Sequence, residues 1–111
     1  MPASTCLLVE PHGIKCSRYA EAILHAGCFE LMVAHSDEEA RKYVSAHSWL
    51  SMLIVVAGVK GYAALARFVR QQSPSATIII VGEAERASVP EANAIIAEHD
   101  PDALLAAIRG Q

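Results

Sequence analysis

The 111-residue sequence has few aromatic residues and no block of positive charge. Phe, Trp and Tyr together make up 5% of it, too few for the stacking surface that binds single-stranded nucleic acid. The nine Lys and Arg residues are scattered and the formal net charge is -3, so no basic patch for DNA or RNA is predicted. No apolar run approaches the ~18 residues of a membrane-spanning helix. We therefore expect neither a nucleic acid nor a membrane as partner.

Cysteine is scarce as well, with only Cys6, Cys16 and Cys28. An odd number of cysteines, together with the absence of a secretory signal pattern at residues 1–8, predicts free thiols and a cytoplasmic location. Free cysteine behaves as a small buried hydrophobe. We expect these residues to pack in the core.

The hydrophobic residues that make up 53% of the chain alternate between two kinds of spacing. Short aliphatic runs predict strands at 5–9, 29–34, 52–56, 76–81 and 94–97, and helical spacing predicts helices at 14–26, 37–47, 62–72 and from 100 onward. Ser36 and Glu39 form a capping box, and Asp100-Pro101 is a helix start. This alternation predicts an α/β fold, a doubly wound five-stranded parallel sheet, in a single domain over residues 1–111.

One connection is too short for the pattern. Residues 82–93 lie between the fourth and fifth strands, at the lower limit for a crossover with its own helix, so we expect the fourth helix to be missing or shortened. A parallel sheet rarely leaves an apolar face wet, and exposed apolar patches mark association sites. The sequence therefore predicts an interaction surface formed by Glu85, Arg86, Val89, Ile96 and Ala103.

Three features together resemble the receiver domain of bacterial response regulators. They are an acidic residue, Glu10, after the first strand, an aliphatic third strand that leads into a glycine-containing loop, and the segment DPDALLAAI at 100–108. The resemblance covers essentially the whole chain. It implies a flavodoxin-like sheet with strand order 2-1-3-4-5.

The resemblance also implies where phosphoryl chemistry belongs. Receivers carry phosphate on an aspartate after strand three, bind Mg²⁺ with that residue and an acidic pair after strand one, and hold the phosphoryl group with a hydroxyl and a lysine after strands four and five. Here those positions fall on Glu10, Pro11, Ala57, Gly82 and Ala97, and that of the aromatic switch residue on strand five falls on Ala94. Only Glu10 keeps a functional group. The chain is therefore interpreted as a pseudo-receiver without enzyme activity, bound metal or cofactor.

Two kinds of function stay open for such a domain. The first is a protein–protein interaction or dimerisation module in two-component signal transduction, with a histidine kinase, an output domain, a regulator or a second copy as partner. The second is a small-ligand sensor, for example of a cyclic dinucleotide. Its candidate contacts, Tyr62, Arg86 and Arg109, are dispersed, which favours the module. His12 and His99 lack zinc-type spacing, and Gly58 and Gly61 fit turn glycines better than a phosphate loop.

Overall fold

Five parallel strands form one sheet in the order β2-β1-β3-β4-β5. The computed structural model describes residues 4–10, 29–46, 50–83, 89–97 and 100–109, with the backbone alone at 4, 29, 101 and 109. The strands are β1 (Ser4–Val9), β2 (Phe29–Ala34), β3 (Met52–Val56), β4 (Thr77–Val81) and β5 (Ala94–Ile96). The described helices are α1 (Asp37–Ala46), α2 (Tyr62–Gln72) and α3 (Pro101–Arg109). The predicted strand order is confirmed, while the helix predicted at 14–26 lies outside the described residues.

The central strands β3 and β4 supply much of the hydrophobic core, because both faces of the sheet are covered there. All five residues of β3 are buried, as are the last four of β4. Such continuous aliphatic runs are typical of parallel strands enclosed by helices. Cys6 on β1 is also buried, and desolvation raises the pKa of its thiol to about 12. Cys6 thus packs in the core as predicted, while Cys16 and Cys28 lie outside the described residues.

Helices α1 and α3 begin at the side-chain caps that the sequence predicts, and α2 begins after a glycine with positive φ. The Ser36 hydroxyl accepts a hydrogen bond from the Glu39 amide at 3.1 Å. The Asp100 carboxylate accepts one from the Ala103 amide at 3.0 Å. Before α2, Gly61 has φ 81, a left-handed conformation that suits glycine. None of the described helices is long and apolar enough to cross a membrane.

The connection between β4 and β5 has no helix among its described residues, 82–83 and 89–93, in agreement with the prediction. Residues 89–93 instead make a turn, in which the Ala92 amide donates to the Val89 carbonyl at 3.1 Å. The Asn93 amide then donates to the Ile78 carbonyl at 2.7 Å. This turn returns the chain to the sheet immediately before β5.

The prediction that Val89 is accessible is wrong. Its exposed fraction is 0%, and it belongs to the same buried cluster as the β4 side chains. The turn folds Val89 inward, so that an aliphatic side chain contributes cover that was expected to be lost with the helix. Ile96 and Ala103, from the same predicted surface, are half-buried, and Glu85 and Arg86 lie outside the described residues.

Arg70, near the end of α2, fixes the β4–β5 connection to the rest of the fold. Its guanidinium donates to the carbonyls of Pro74 at 2.6 Å, Ala76 at 2.8 Å and Glu91 at 3.0 Å. It also donates to the Asn93 side-chain oxygen at 2.8 Å, and that oxygen accepts the Ile78 amide at 2.8 Å. We call these contacts the Arg70 clasp. It joins α2, the turn after it and the approach to β5.

Candidate functional site

The carboxyl ends of β3, β4 and β5 open into one cleft of about 620 Å³. Among the described residues it is lined by Val56, Ala57, Gly58, Val81, Gly82, Glu83 and Ala97, which we call the carboxyl-edge cleft. This edge of an open parallel sheet is where ligands bind in α/β proteins. Three of the positions to which the sequence resemblance assigned phosphoryl chemistry, Ala57, Gly82 and Ala97, therefore lie around a single space.

The walls of the cleft offer little reactive chemistry. Ala57 and Ala97 present methyl groups, and Gly58 and Gly82 present backbone alone. Glu83 is the only charged residue among the described lining residues, and it is exposed. Glu83 directly follows Gly82, so the rule that sites gather at strand ends would have found it from the sequence. Apart from the exposed Glu83 carboxylate, these described residues supply no nucleophilic side chain, and the position directly after β3 holds only the methyl group of Ala57.

Two backbone amides of the described lining already have hydrogen-bond acceptors within the sheet. The Ala57 amide donates to the Val81 carbonyl and the Gly82 amide to the Ile96 carbonyl, each at 2.8 Å. These bonds extend the pairing of β3, β4 and β5 beyond the strand ends. Both amides therefore have hydrogen-bond acceptors within the sheet and cannot form an anion-binding nest.

Gly82 has a backbone conformation that resists a side chain. Its φ is 115, and a Cβ there would lie 3.3 Å from the Ala57 Cβ. Residues with a side chain rarely adopt such a positive φ, because this backbone conformation is strained for L-residues. The position that the resemblance assigns to a hydroxyl therefore has a backbone conformation that serine or threonine rarely adopts. No sequence signal beyond the glycine itself indicates this.

We expect Gly82→Ser to lower the free energy of unfolding by about 1–3 kcal/mol, because serine must adopt a strained backbone or shift the loop. Gly58→Ser is the matched control, since a Cβ at Gly58 meets nothing within 4 Å. It should change stability by less than about 0.5 kcal/mol. Urea unfolding of the two variants measures the difference, and equal stabilities would contradict this account of Gly82.

Glu10 directly follows β1, which pairs with β3, and it is buried, with 3% of its surface exposed. Its amide donates to the Ala34 carbonyl at 3.0 Å, and its carbonyl accepts the His35 ring nitrogen Nδ1 at 3.2 Å. Pro11 lies outside the described residues. No group of three or more His, Cys, Asp or Glu side chains among the described residues could hold a metal ion. The donors described here do not fit the oxygen ligand set of a receiver's Mg²⁺.

Two of the predicted interaction residues, Ile96 and Ala103, lie on or next to the β5 edge of the sheet. Ala94, the position of the receiver's switch aromatic, and Ile96 are half-buried on β5, which is the last strand of the sheet. Helix α3, which carries Ala103, contacts β5. Of the five predicted residues, the structure thus places Ile96 and Ala103 on neighbouring elements and removes Val89 from the surface.

No known protein-family model matches the sequence, and no curated protein matches it either. Solved structures do match. A response regulator receiver protein from Sinorhizobium medicae WSM419 superposes with a TM-score of 0.82 at 21% identity, over 97% of this chain and 93% of that one. The signal receiver domain of an HD domain-containing protein from Pseudomonas fluorescens Pf-5 gives a TM-score of 0.82 at 19% identity, over 99% and 87%.

A longer protein matches in the same way. A response regulator from Burkholderia pseudomallei, solved with a phosphorylated aspartic acid, a calcium ion and citrate, has a TM-score of 0.77 at 19% identity. The match covers 94% of this chain but only 65% of that protein. At such identities the likeness concerns the fold. The chain has the flavodoxin-like fold of response regulator receiver domains, as the sequence predicted.

Proposed function

We propose that this chain is a pseudo-receiver that cannot be phosphorylated and that acts as a protein–protein interaction or dimerisation module in bacterial two-component signal transduction. The observation that carries the proposal is the chemistry of the carboxyl-edge cleft. Phosphoryl transfer to a receiver requires a nucleophile and groups that stabilise the developing charge. The described cleft offers only the methyl groups of Ala57 and Ala97 and the glycine backbone of Gly82 at those places.

The β5 edge supports the interaction role. All three residues of β5 are half-buried aliphatic side chains at the margin of the sheet, and Leu105 of α3 is half-buried beside the same core. Apolar surface grouped in this way is typical of association sites. A histidine kinase, an output domain, another regulator or a second copy of the chain in the cytoplasm would meet this edge. The domain itself would act without catalysis.

The properties of the cleft weigh against a cyclic dinucleotide sensor. A dinucleotide brings two phosphates, which require cations or free amides. The amides of Ala57 and Gly82 are bonded within the sheet, and the exposed Glu83 adds negative charge. Calorimetry with cyclic di-GMP should give no binding heat, whereas saturable binding would favour the sensor.

Association through the β5 edge can be tested by changing Ala94. We expect Ala94→Arg, which puts a long charged side chain on this edge, to weaken self-association or partner capture while the protein stays folded. Ala64→Arg on the exposed surface of α2 is the control. Sedimentation velocity and affinity capture, each with and without acetyl phosphate and Mg²⁺, measure the effect. Association that needs the phosphoryl donor, or that Ala94→Arg leaves unchanged, would count against the proposal.

A further inference from the structure

The volume of the carboxyl-edge cleft is larger than a single bound ion requires. A space of about 620 Å³ exceeds that of a single ion and is in the range of pockets that hold organic groups. The side chains of Val56 and Val81 are buried, so the apolar surface of the described lining comes from the methyl groups of Ala57 and Ala97 and from glycine backbone. Its occupant should therefore present an apolar body.

The charge of the occupant is inferred from the two strand-end amides and the one charged side chain of the described lining. The amides of Ala57 and Gly82 donate to carbonyls of the neighbouring strands, so they are not available to an anion. Glu83 is exposed on the lining and is the only charged side chain among the described lining residues. A carboxylate beside methyl groups and glycine backbone attracts a cation and repels phosphates and carboxylates.

Lysine and arginine side chains combine the two properties. Their methylene stems pack along apolar surface while the charged end stays in a polar, wetter position. In this cleft the stem would lie against the methyl groups of Ala57 and Ala97 and the backbone of Gly58, and the cation would meet the Glu83 carboxylate. Lys60, an exposed cation of the β3–α2 loop, is not among the described lining residues.

We infer that the carboxyl-edge cleft receives a lysine or arginine side chain of a protein partner, held by aliphatic contacts to its stem and an ion pair with Glu83. This inference rests on the proposed interaction function and names the group by which the partner is held. It also assigns the carboxyl-edge cleft a binding role that is separate from that of the β5 edge.

The test is a titration of the ¹⁵N-labelled chain with acetyl-Gly-Arg-Gly-amide and with acetyl-Gly-Lys-Gly-amide, followed by amide chemical shifts. The same peptides with glutamine or glutamate at the centre, butylammonium chloride and inorganic phosphate are the comparison probes. We expect saturable shifts at Ala57, Gly58, Gly82 and Glu83 with the two cationic peptides. The acidic peptide and phosphate should leave these amides unchanged.

A pair of variants separates the ion pair from general charge. Glu83→Gln should weaken the binding of the cationic peptides about two- to five-fold, the range expected for an exposed ion pair. Asp102→Asn removes the same charge from an exposed position on α3, outside the cleft lining, and should leave their binding unchanged. Equal effects of the two substitutions would overturn the inference.

Other results would overturn it as well. These are the absence of cleft shifts with either cationic peptide, equal shifts with the acidic peptide or phosphate, and butylammonium binding as tightly as the peptides, which would assign the cleft to small amines. None of these results would contradict the pseudo-receiver proposal. That proposal depends on the response to phosphoryl donors and on association at the β5 edge, so the two can fail separately.

Discussion

Ala57→Asp is expected to leave the protein unable to take a phosphoryl group from acetyl phosphate in the presence of Mg²⁺. The substitution restores a carboxylate at the end of β3, next to the cleft. However, Gly82 still lacks a hydroxyl and Ala97 still lacks an amine, and these groups would have to stabilise the charge on the transferred phosphoryl group. A nucleophile without its electrostatic partners is insufficient.

The measurement for this variant is intact-protein mass after incubation with the donor. Ala57→Asn is the matched control, because it has nearly the same shape and no nucleophilic oxygen. The two variants should give the same spectrum. A phosphoryl-sized mass increase that appears only with Ala57→Asp, and that hydroxylamine removes, would show that Ala57 alone accounts for the lost reaction.

Arg70→Ala is expected to cause a large loss of stability for a partly exposed residue. It removes hydrogen bonds to the carbonyls of Pro74, Ala76 and Glu91 and to the side chain of Asn93. Hydrogen bonds from a charged donor contribute about 1.5–3 kcal/mol, and removal leaves the part-buried carbonyls of Ala76 and Glu91 without this donor. We expect the free energy of unfolding to fall by about 2–3 kcal/mol in urea.

Arg67→Ala is the control on the same helix. Its guanidinium lies 3.8 Å from the Glu91 carboxylate with 60% of its side chain exposed, so its loss should cost less than about 1 kcal/mol. Arg70→Lys should behave more like Arg70→Ala, because an ammonium cannot reproduce the planar fork. Equal losses for Arg67→Ala and Arg70→Ala would contradict the role assigned to the clasp.

The clasp also predicts a local effect. The Ile78 amide donates to the Asn93 oxygen that Arg70 holds, and the Asn93 amide donates to the Ile78 carbonyl. In Arg70→Ala these two amides should exchange with solvent faster than amides of β3. Uniform acceleration across the sheet would indicate a global loss of stability instead.

Much of the fold can be read from local patterns. β3 and α2 begin and end at the predicted residues, because an unbroken aliphatic run and a stripe of buried Leu65, Ala66 and Val69 leave little ambiguity. The caps at Ser36 and Asp100 were also predictable, since each involves residues three apart in sequence. The strand order followed from the resemblance to receivers and agrees with the structure.

The features that sequence reasoning missed depend on distant contacts. Arg70 meets Glu91 and Asn93 across 21 and 23 residues, and no local pattern marks an arginine as a clasp. Val89 was assigned to the surface because the connection is short, but the turn after it directs the side chain into the core. At Gly82 the sequence shows the missing hydroxyl but not the positive φ that resists its return.

The most direct test of the central claim is the intact mass of the unmodified protein after incubation with acetyl phosphate and Mg²⁺. A receiver that carries its aspartate, treated in parallel, shows that the donor is active. The account predicts that this chain keeps its mass unchanged, because Ala57 offers no nucleophile at the end of β3. A phosphoryl-sized increase that is lost with hydroxylamine would show an acyl phosphate on the chain and would contradict the account.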